Sequence, residues 1–201
     1  MDHLYETTTK TDAATNEQSG RRAFFAKSSL FSLGALAAVT LGQSSPVWAQ
    51  TKSTSTSDDI AMLNVALGLE YQAIAAYQVG AESGLLQKPV LALAVKFQGQ
   101  HKAHAQILSG TISKLGGTPV MTKTVKEYNF PVAQLKAQAD VLKFAAGLEK
   151  GAASAYLSVL PSFHNKELVS AAGSILGDET MHWAILLNAL GEDPVPVAFI
   201  A

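Results

Sequence analysis

The chain has 201 residues, no cysteine, seven prolines, an apolar content of 48% and a formal charge of −1. The missing cysteine excludes a disulfide-stapled fold, a zinc ribbon and thiol chemistry, and the near-zero charge excludes the basic face that a nucleic-acid partner requires. Charged residues are only 15%, yet no run of 18 or more apolar residues offers a stable transmembrane anchor, and the length suits one domain, two at most.

The first elements in chain order read as an address. Arg21 and Arg22 are the only arginines, and they precede a short apolar run from Leu30 to Leu41. That run has the size of a signal-peptide core and is too short to span a bilayer as a helix. Val47-Trp48-Ala49 offers a small-residue cleavage site before Gln50. Residues 1–49 resemble a twin-arginine signal peptide, with residues 1–19 polar and disordered. The resemblance implies the twin-arginine (Tat) export machinery as a partner and a periplasmic or other extracytoplasmic location. Residues 50–57, a Ser/Thr run, read as a flexible tether.

Four long segments follow, each with apolar residues at alternating steps of three and four, the signature of packed helices. The first runs from about Asp58, as N-cap, to Gly80 or Gly84, with the stripe Ile60, Leu63, Leu67, Glu70, Ile74, Tyr77. The second opens at Pro89 and ends at Gly116-Gly117, with Val90, Ala94, Phe97, His101, His104, Leu108, Ile112, Leu115. The third runs from about Val132 to Leu160, with Leu142, Ala145, Glu149, Ala152, Tyr156. The fourth runs from about Asn165 to Leu190, with Leu168, Ala172, Ile175, Glu179, His182, Leu186, Ala189. Short loops join the first pair and the last pair, which predicts two antiparallel hairpins. The stretch from Gly116 to Pro131 is long enough to run the length of the bundle. The fold expected for residues 58–190 is therefore an all-α antiparallel four-helix bundle with one long crossover between helices two and three. The apolar tail 191–201 is unfit for helix; it either packs over the bundle end or docks on a partner subunit.

Six residues interrupt the stripes at core-facing positions: Glu70, His101, His104, Glu149, Glu179 and His182. A buried carboxylate without a partner costs several kcal/mol, so chance placement is disfavoured. His101/His104 and Glu179/His182 are i, i+3 pairs, each on one helix face. Carboxylates and imidazoles converging at mid-bundle are the usual ligands of iron, manganese or zinc. The hairpins also repeat each other. Gly68-Leu69-Glu70 with Ala76-Tyr77 recurs as Gly147-Leu148-Glu149 with Ala155-Tyr156, and His101-x-x-His104-x-x-Ile107-Leu108 matches Glu179-x-x-His182-x-x-Ile185-Leu186. Two equivalent half-sites face to face are the expected result. A register pairing Gln98 with His101 is disfavoured, because it loses the match between Ile107-Leu108 and Ile185-Leu186.

On these motifs the chain resembles the ferritin-like superfamily, and within it the exported ferritin-like domain proteins of bacteria. The resemblance implies ferritin-like topology, in which helices one and three each give a Glu and helices two and four each give Glu-x-x-His. Glu70 and Glu149 match the single glutamates, Glu179 and His182 the fourth-helix pair, and His104 the second-helix histidine. His101 stands where the family has a glutamate, which removes one negative charge and the carboxylate that would bridge two metals. An asymmetric dinuclear site, a mononuclear site and a different metal all stay open. In the dinuclear arrangement Glu70 with His104 holds one metal, Glu149 with His182 the other, and Glu179 bridges. The implied function is an exported protein binding iron or manganese, with zinc open, in oxygen or peroxide chemistry (ferroxidase- or peroxidase-like) or metal handling. The alternative is a metal-free module, structural or stress-related. A homo-oligomer stays open, and no fifth-helix or pore motif points to a closed cage. Tyr77 and Tyr156 read as bundle core with the hydroxyl near the rim, a bond to a ligand carboxylate or a redox role being the alternatives. Trp183 reads as inter-helix packing off the stripe. His164, Lys102 and Lys150 read as surface.

Overall fold

A computed structural model describes residues 47–200, with side chains from 55 onward. Among these residues lie four α-helices: α1 (Val47–Glu82), α2 (Lys88–Lys114), α3 (Gln138–Val159) and α4 (Lys166–Leu190). The leader read over residues 1–49 lies outside the described residues, save for 47–49 at the start of α1. The tether expected at 50–57 is instead helical. Pro46 stands just before the helix, and no Gly or Pro follows until Gly68 to interrupt it. Asp58 is therefore inside α1 and not its N-cap. Its neighbour Asp59 is buried and accepts the backbone N–H of His164 at 2.9 Å, tying α1 to the α3–α4 loop. By length and composition Ser55–Glu82 could cross a membrane. In this fold that helix packs its apolar face into the bundle, with Glu70 at the centre of that face.

The start of α3 is also corrected. Val132–Gln134 form a single 3₁₀ turn, and Leu135 is extended. α3 begins only at Gln138, where the Asp140 carboxylate accepts the N–H groups of Lys136 and Ala137, both at 2.9 Å, and satisfies donors that a helix start leaves free. The crossover is thus longer than the sequence suggested. It leaves α2 through Gly116, whose φ of +83° favours glycine, and Gly117, where a Cβ would come within 2.6 Å of Ile60. Asn64 on α1 holds it by bonds to Thr118 and Val120. At the far end the N–H of Gln87, in the α1–α2 loop, donates to Gln138. The crossover therefore spans the bundle, and α3 runs antiparallel to α1.

α1 packs most extensively on α2 and α3 on α4; α1 also meets α3, and of these four neighbouring pairs α2 and α4 touch least. Two apolar clusters fill the interior. One holds Leu63, Leu67, Leu108, Ile112, Leu168 and Ile175. The other holds Tyr77, Phe97, Leu142, Trp183 and Leu186. Each fully buried aliphatic or aromatic side chain contributes about 1.5–3 kcal/mol. On α4 the stripe is wider than its spacing predicted: Trp183 and Leu187 are buried, whereas Ala189 is exposed. In the tail, Ile200 packs on the second cluster, while Val195, Val197 and Phe199 stay exposed. Between the two clusters lies a polar layer.

Candidate metal centre

α1 and α3 each deliver one polar residue to that layer and α2 and α4 two each, because all occupy stripe positions midway along their helices. All six residues singled out in the sequence meet there. They form two overlapping tetrads, Glu70–His101–His104–Glu179 and His101–Glu149–Glu179–His182, with donor atoms within 4.8 Å of one another. Glu179 and His101 belong to both. Gln98 lies outside; it bonds Gln78 and the Ile74 carbonyl.

The first tetrad is tight. His104 Nδ1 lies 3.3 Å from Glu179 Oε1 and 3.5 Å from Glu70 Oε2. His101 Nδ1 lies 2.8 Å from Glu70 Oε2 and 3.6 Å from Glu179 Oε1. The second mirrors it through the other atoms of the shared residues. His101 Nε2 lies 3.2 Å from Glu149 Oε1. His182 Nδ1 lies 3.5 Å from Glu149 Oε2 and 3.9 Å from Glu179 Oε2. Thus His101 presents one ring nitrogen, and Glu179 one oxygen, to each half.

Charge is distributed unevenly. Burial pushes the His101 imidazole toward neutrality, but the adjoining Glu149 and Glu70 reverse this and raise it to about 10. His104 is likewise raised to about 9, burial being outweighed by Glu179 and Glu70 beside it. Burial would raise Glu70 and Glu149 too, but their histidine contacts hold both below the ordinary carboxylate value. Glu179 goes the other way: burial, with Glu149 adjoining, lifts it to about 8 despite His104.

Four residues outside the set of six support it. Tyr77 on α1 donates its hydroxyl to Glu149 on α3, and Tyr156 on α3 donates to Glu70 on α1 at 2.6 Å. The tyrosines are therefore partners of the glutamates and not rim residues. Their equal spacing after Glu70 and Glu149, in helices expected to be antiparallel, was the available signal. Asp178 and Gln100 had no signal, because they flank the stripe where polar residues are ordinary. Asp178 Oδ2 lies 3.3 Å from His104 Nε2 and 3.5 Å from His182 Nε2. Gln100 Oε1 lies 3.1 Å from His182 Nε2. Outer partners of this kind fix which imidazole nitrogen faces inward. Phe97 stacks on His182 at 4.0 Å. Away from the centre, Lys102 bonds Gln98, Lys150 lies over the Trp183 ring, and His164 is exposed near Asp59.

The tyrosine bonds give an expected outcome. Tyr156→Phe removes the donor from a buried carboxylate oxygen and should cost about 1–3 kcal/mol in urea unfolding of the metal-free protein, as should Tyr77→Phe. Unchanged midpoints in both would show that the hydroxyls hold nothing in place.

Residues 58–192 match the family described as a ferritin-like domain. No curated protein sequence matches the chain. Among solved structures, a conserved hypothetical protein of Mycobacterium tuberculosis aligns at 24% identity with a TM-score of 0.62, covering 72% of this chain and 99% of its own. Ferritin-like, diiron-carboxylate proteins of Bacillus anthracis strain Ames align at 24% identity and 0.58, over 68% and 97%. A bacterioferritin-related protein of Bacteroides fragilis, described as a dodecameric thioferritin, aligns at 25% identity and 0.56, over 68% and 86%.

Proposed function

Because the chain belongs to the ferritin-like domain family, we propose that its polar layer is a dinuclear metal centre, with iron the first choice, working in oxygen or peroxide chemistry or metal handling. One observation carries this reading. Among the described residues, five buried side-chain atoms lack any hydrogen-bond partner: both oxygens of Glu179, Glu149 Oε2, His104 Nδ1 and His182 Nδ1. Unpaired buried polar atoms are costly, and these sit together at the meeting points of the two tetrads. The spacing also fits. A metal with bonds of about 2.1 Å needs its donors roughly 3.0–3.4 Å apart, close to the 2.8–3.6 Å of the four His–Glu pairs in the first tetrad.

Glu70 and His104 would hold one ion, Glu149 and His182 the other, with Glu179 shared between them and His101, whose neutral ring offers a single lone pair, a terminal ligand to one of the two. Bound iron would supply Lewis acidity and a change of oxidation state. Tyr77 and Tyr156 hold the terminal glutamates in place. Asp178 and Gln100 orient the histidines, and the apolar clusters above and below exclude water. His101, in place of a fourth carboxylate, leaves the centre one negative charge short of the family pattern. The diiron-carboxylate description of the Bacillus anthracis relatives supports iron; manganese suits the same oxygen and nitrogen donors. Assembly into a homo-oligomer, as the Bacteroides fragilis protein is described, belongs to the same reading.

Export belongs to it as well. Arg21-Arg22 before the apolar run 30–41 supports passage through the twin-arginine machinery to an extracytoplasmic compartment. That machinery carries folded proteins, so the centre can be filled beforehand. The test is element-resolved metal content of protein purified from its native compartment. About two equivalents of iron per chain are expected, one for each half-site. Less than about 0.2 equivalents of any transition metal, with melting unmoved by added iron or manganese, would overturn the reading.

A further inference from the structure

Five of the six central residues are sealed, at 2% exposure or less; only the side chain of His104, at 13%, reaches solvent. Asp178 stands beside it at 18%. Both lie on the seam between α2 and α4, the neighbouring helices with the least contact. The other approaches are closed. Tyr77 and Tyr156 cover the glutamates from the α1/α3 side, and Phe97 covers the ring of His182. A cleft of about 120 Å³ between α1 and α3 does lead to Tyr156, but Met62, Val65, Ala66 and Leu69 make its wall apolar. A divalent ion entering there would shed water with nothing to replace it.

We propose that metal ions reach the centre through the α2/α4 seam, with the Asp178 carboxylate as their capture site. The proposal rests on the reading of the layer as a metal centre. Asp178 Oδ2 faces the outer nitrogens of both His104 and His182, so an ion held there is one imidazole ring away from either half-site. His104, the one half-buried ligand that reaches solvent and the one without a stacked neighbour comparable to Phe97, is the ring that turns to admit it. Ile107 lies two turns along from Gln100, and Ile185 two turns along from Asp178, so each shares its partner's helix face, and both are exposed.

The test is stopped-flow uptake of cobalt(II) alone by the metal-free full chain. Ile107→Lys and Ile185→Lys place a positive charge on the seam face of each helix without touching a ligand. Each should slow uptake at low salt by about tenfold or more, with the final stoichiometry unchanged and the effect reduced at high salt. Asp178→Asn keeps an oxygen for the histidine N–H groups and removes the charge; it should slow uptake too. Val65→Lys, at the exposed rim of the α1/α3 cleft, should leave the rate unchanged. Uptake slowed by Val65→Lys but not by the seam variants would overturn the route, and a native rate in Asp178→Asn would overturn the capture site. A native chain that takes up no cobalt would overturn the metal-centre reading and the route with it.

Discussion

Glu179→Gln should abolish metal binding in both half-sites and at the same time make the metal-free protein more stable. The first half follows from position. Glu179 is shared by both tetrads, with one oxygen toward each, so an uncharged amide weakens both. A fall in affinity of more than about 100-fold is expected, beyond what loss of an outer partner costs. Glu70→Ala and Glu149→Ala should each spare the opposite half-site. The second half follows from burial. Glu179 is fully buried, and neither of its oxygens has a hydrogen-bond partner. Its carboxyl is raised to about 8, first by burial, so folding at neutral pH carries the cost of protonating it. A neutral amide of the same shape avoids that cost, a gain of roughly 1–3 kcal/mol, or about 3–10 °C in Tm. Calorimetry of the metal-free proteins and cobalt(II) titration check the two halves. A Glu179→Gln chain that melts lower and still binds two ions would remove Glu179 from the centre.

Raising the pH from 6.5 to 10 should progressively destabilise the metal-free protein. His101 and His104, near 6.5 when unfolded, are raised to about 10 and about 9 in the fold. Their contribution is complete below 6.5 and lost as pH rises through the folded values, because the folded state holds protons that the unfolded chain has released. Glu179 acts with the same sign between 4.5 and about 8. Glu70 and Glu149 are lowered, so their contribution is present above 4.5 and lost as pH falls below it. Tm of the metal-free protein should therefore peak at about pH 4.5–5, decline gently to 6.5 as Glu179 alone acts, and fall more steeply above it. Metal reverses the alkaline loss, since it binds the deprotonated ligands. At pH 7 His101, His104 and Glu179 all carry protons, so full loading should release about three per chain. Titration calorimetry in buffers of different ionisation enthalpy counts them. A metal-free Tm that is flat from pH 6.5 to 10, with no protons released on loading, would contradict this charge distribution.

Much of this was legible in the chain. Apolar residues at helical spacing marked four helices, and Asn165 and Gly191 marked both ends of α4, where Asn165 accepts the Glu167 N–H and Gly191 has a φ of 75°. The six central residues were legible for an energetic reason: a charged or imidazole side chain in an apolar stripe is expensive, so six of them at matching places in a repeated hairpin required a common purpose. Where the energetic contrast was weak, the reading failed. The Ser/Thr run before Asp58 has no apolar stripe, and its helical state follows from continuity with α1. Val132 and Ala133 look helical by composition, but the Asp140 carboxylate fixes the start of α3 further on.

The sequence by itself determined which side chains enter the core layer, because periodicity and burial cost act within one helix. Only the tertiary structure decided how they divide the work. That His101 lies between Glu70 and Glu149, that Glu179 serves both halves, that each tyrosine reaches the other hairpin's glutamate and that Asp178 stands at the mouth before both histidines are relations between helices. They depend on the rotation and height at which α1 and α2 pack against α3 and α4. Those are set by the interlocking of two whole hairpins across the crossover, and no single helix's pattern encodes them.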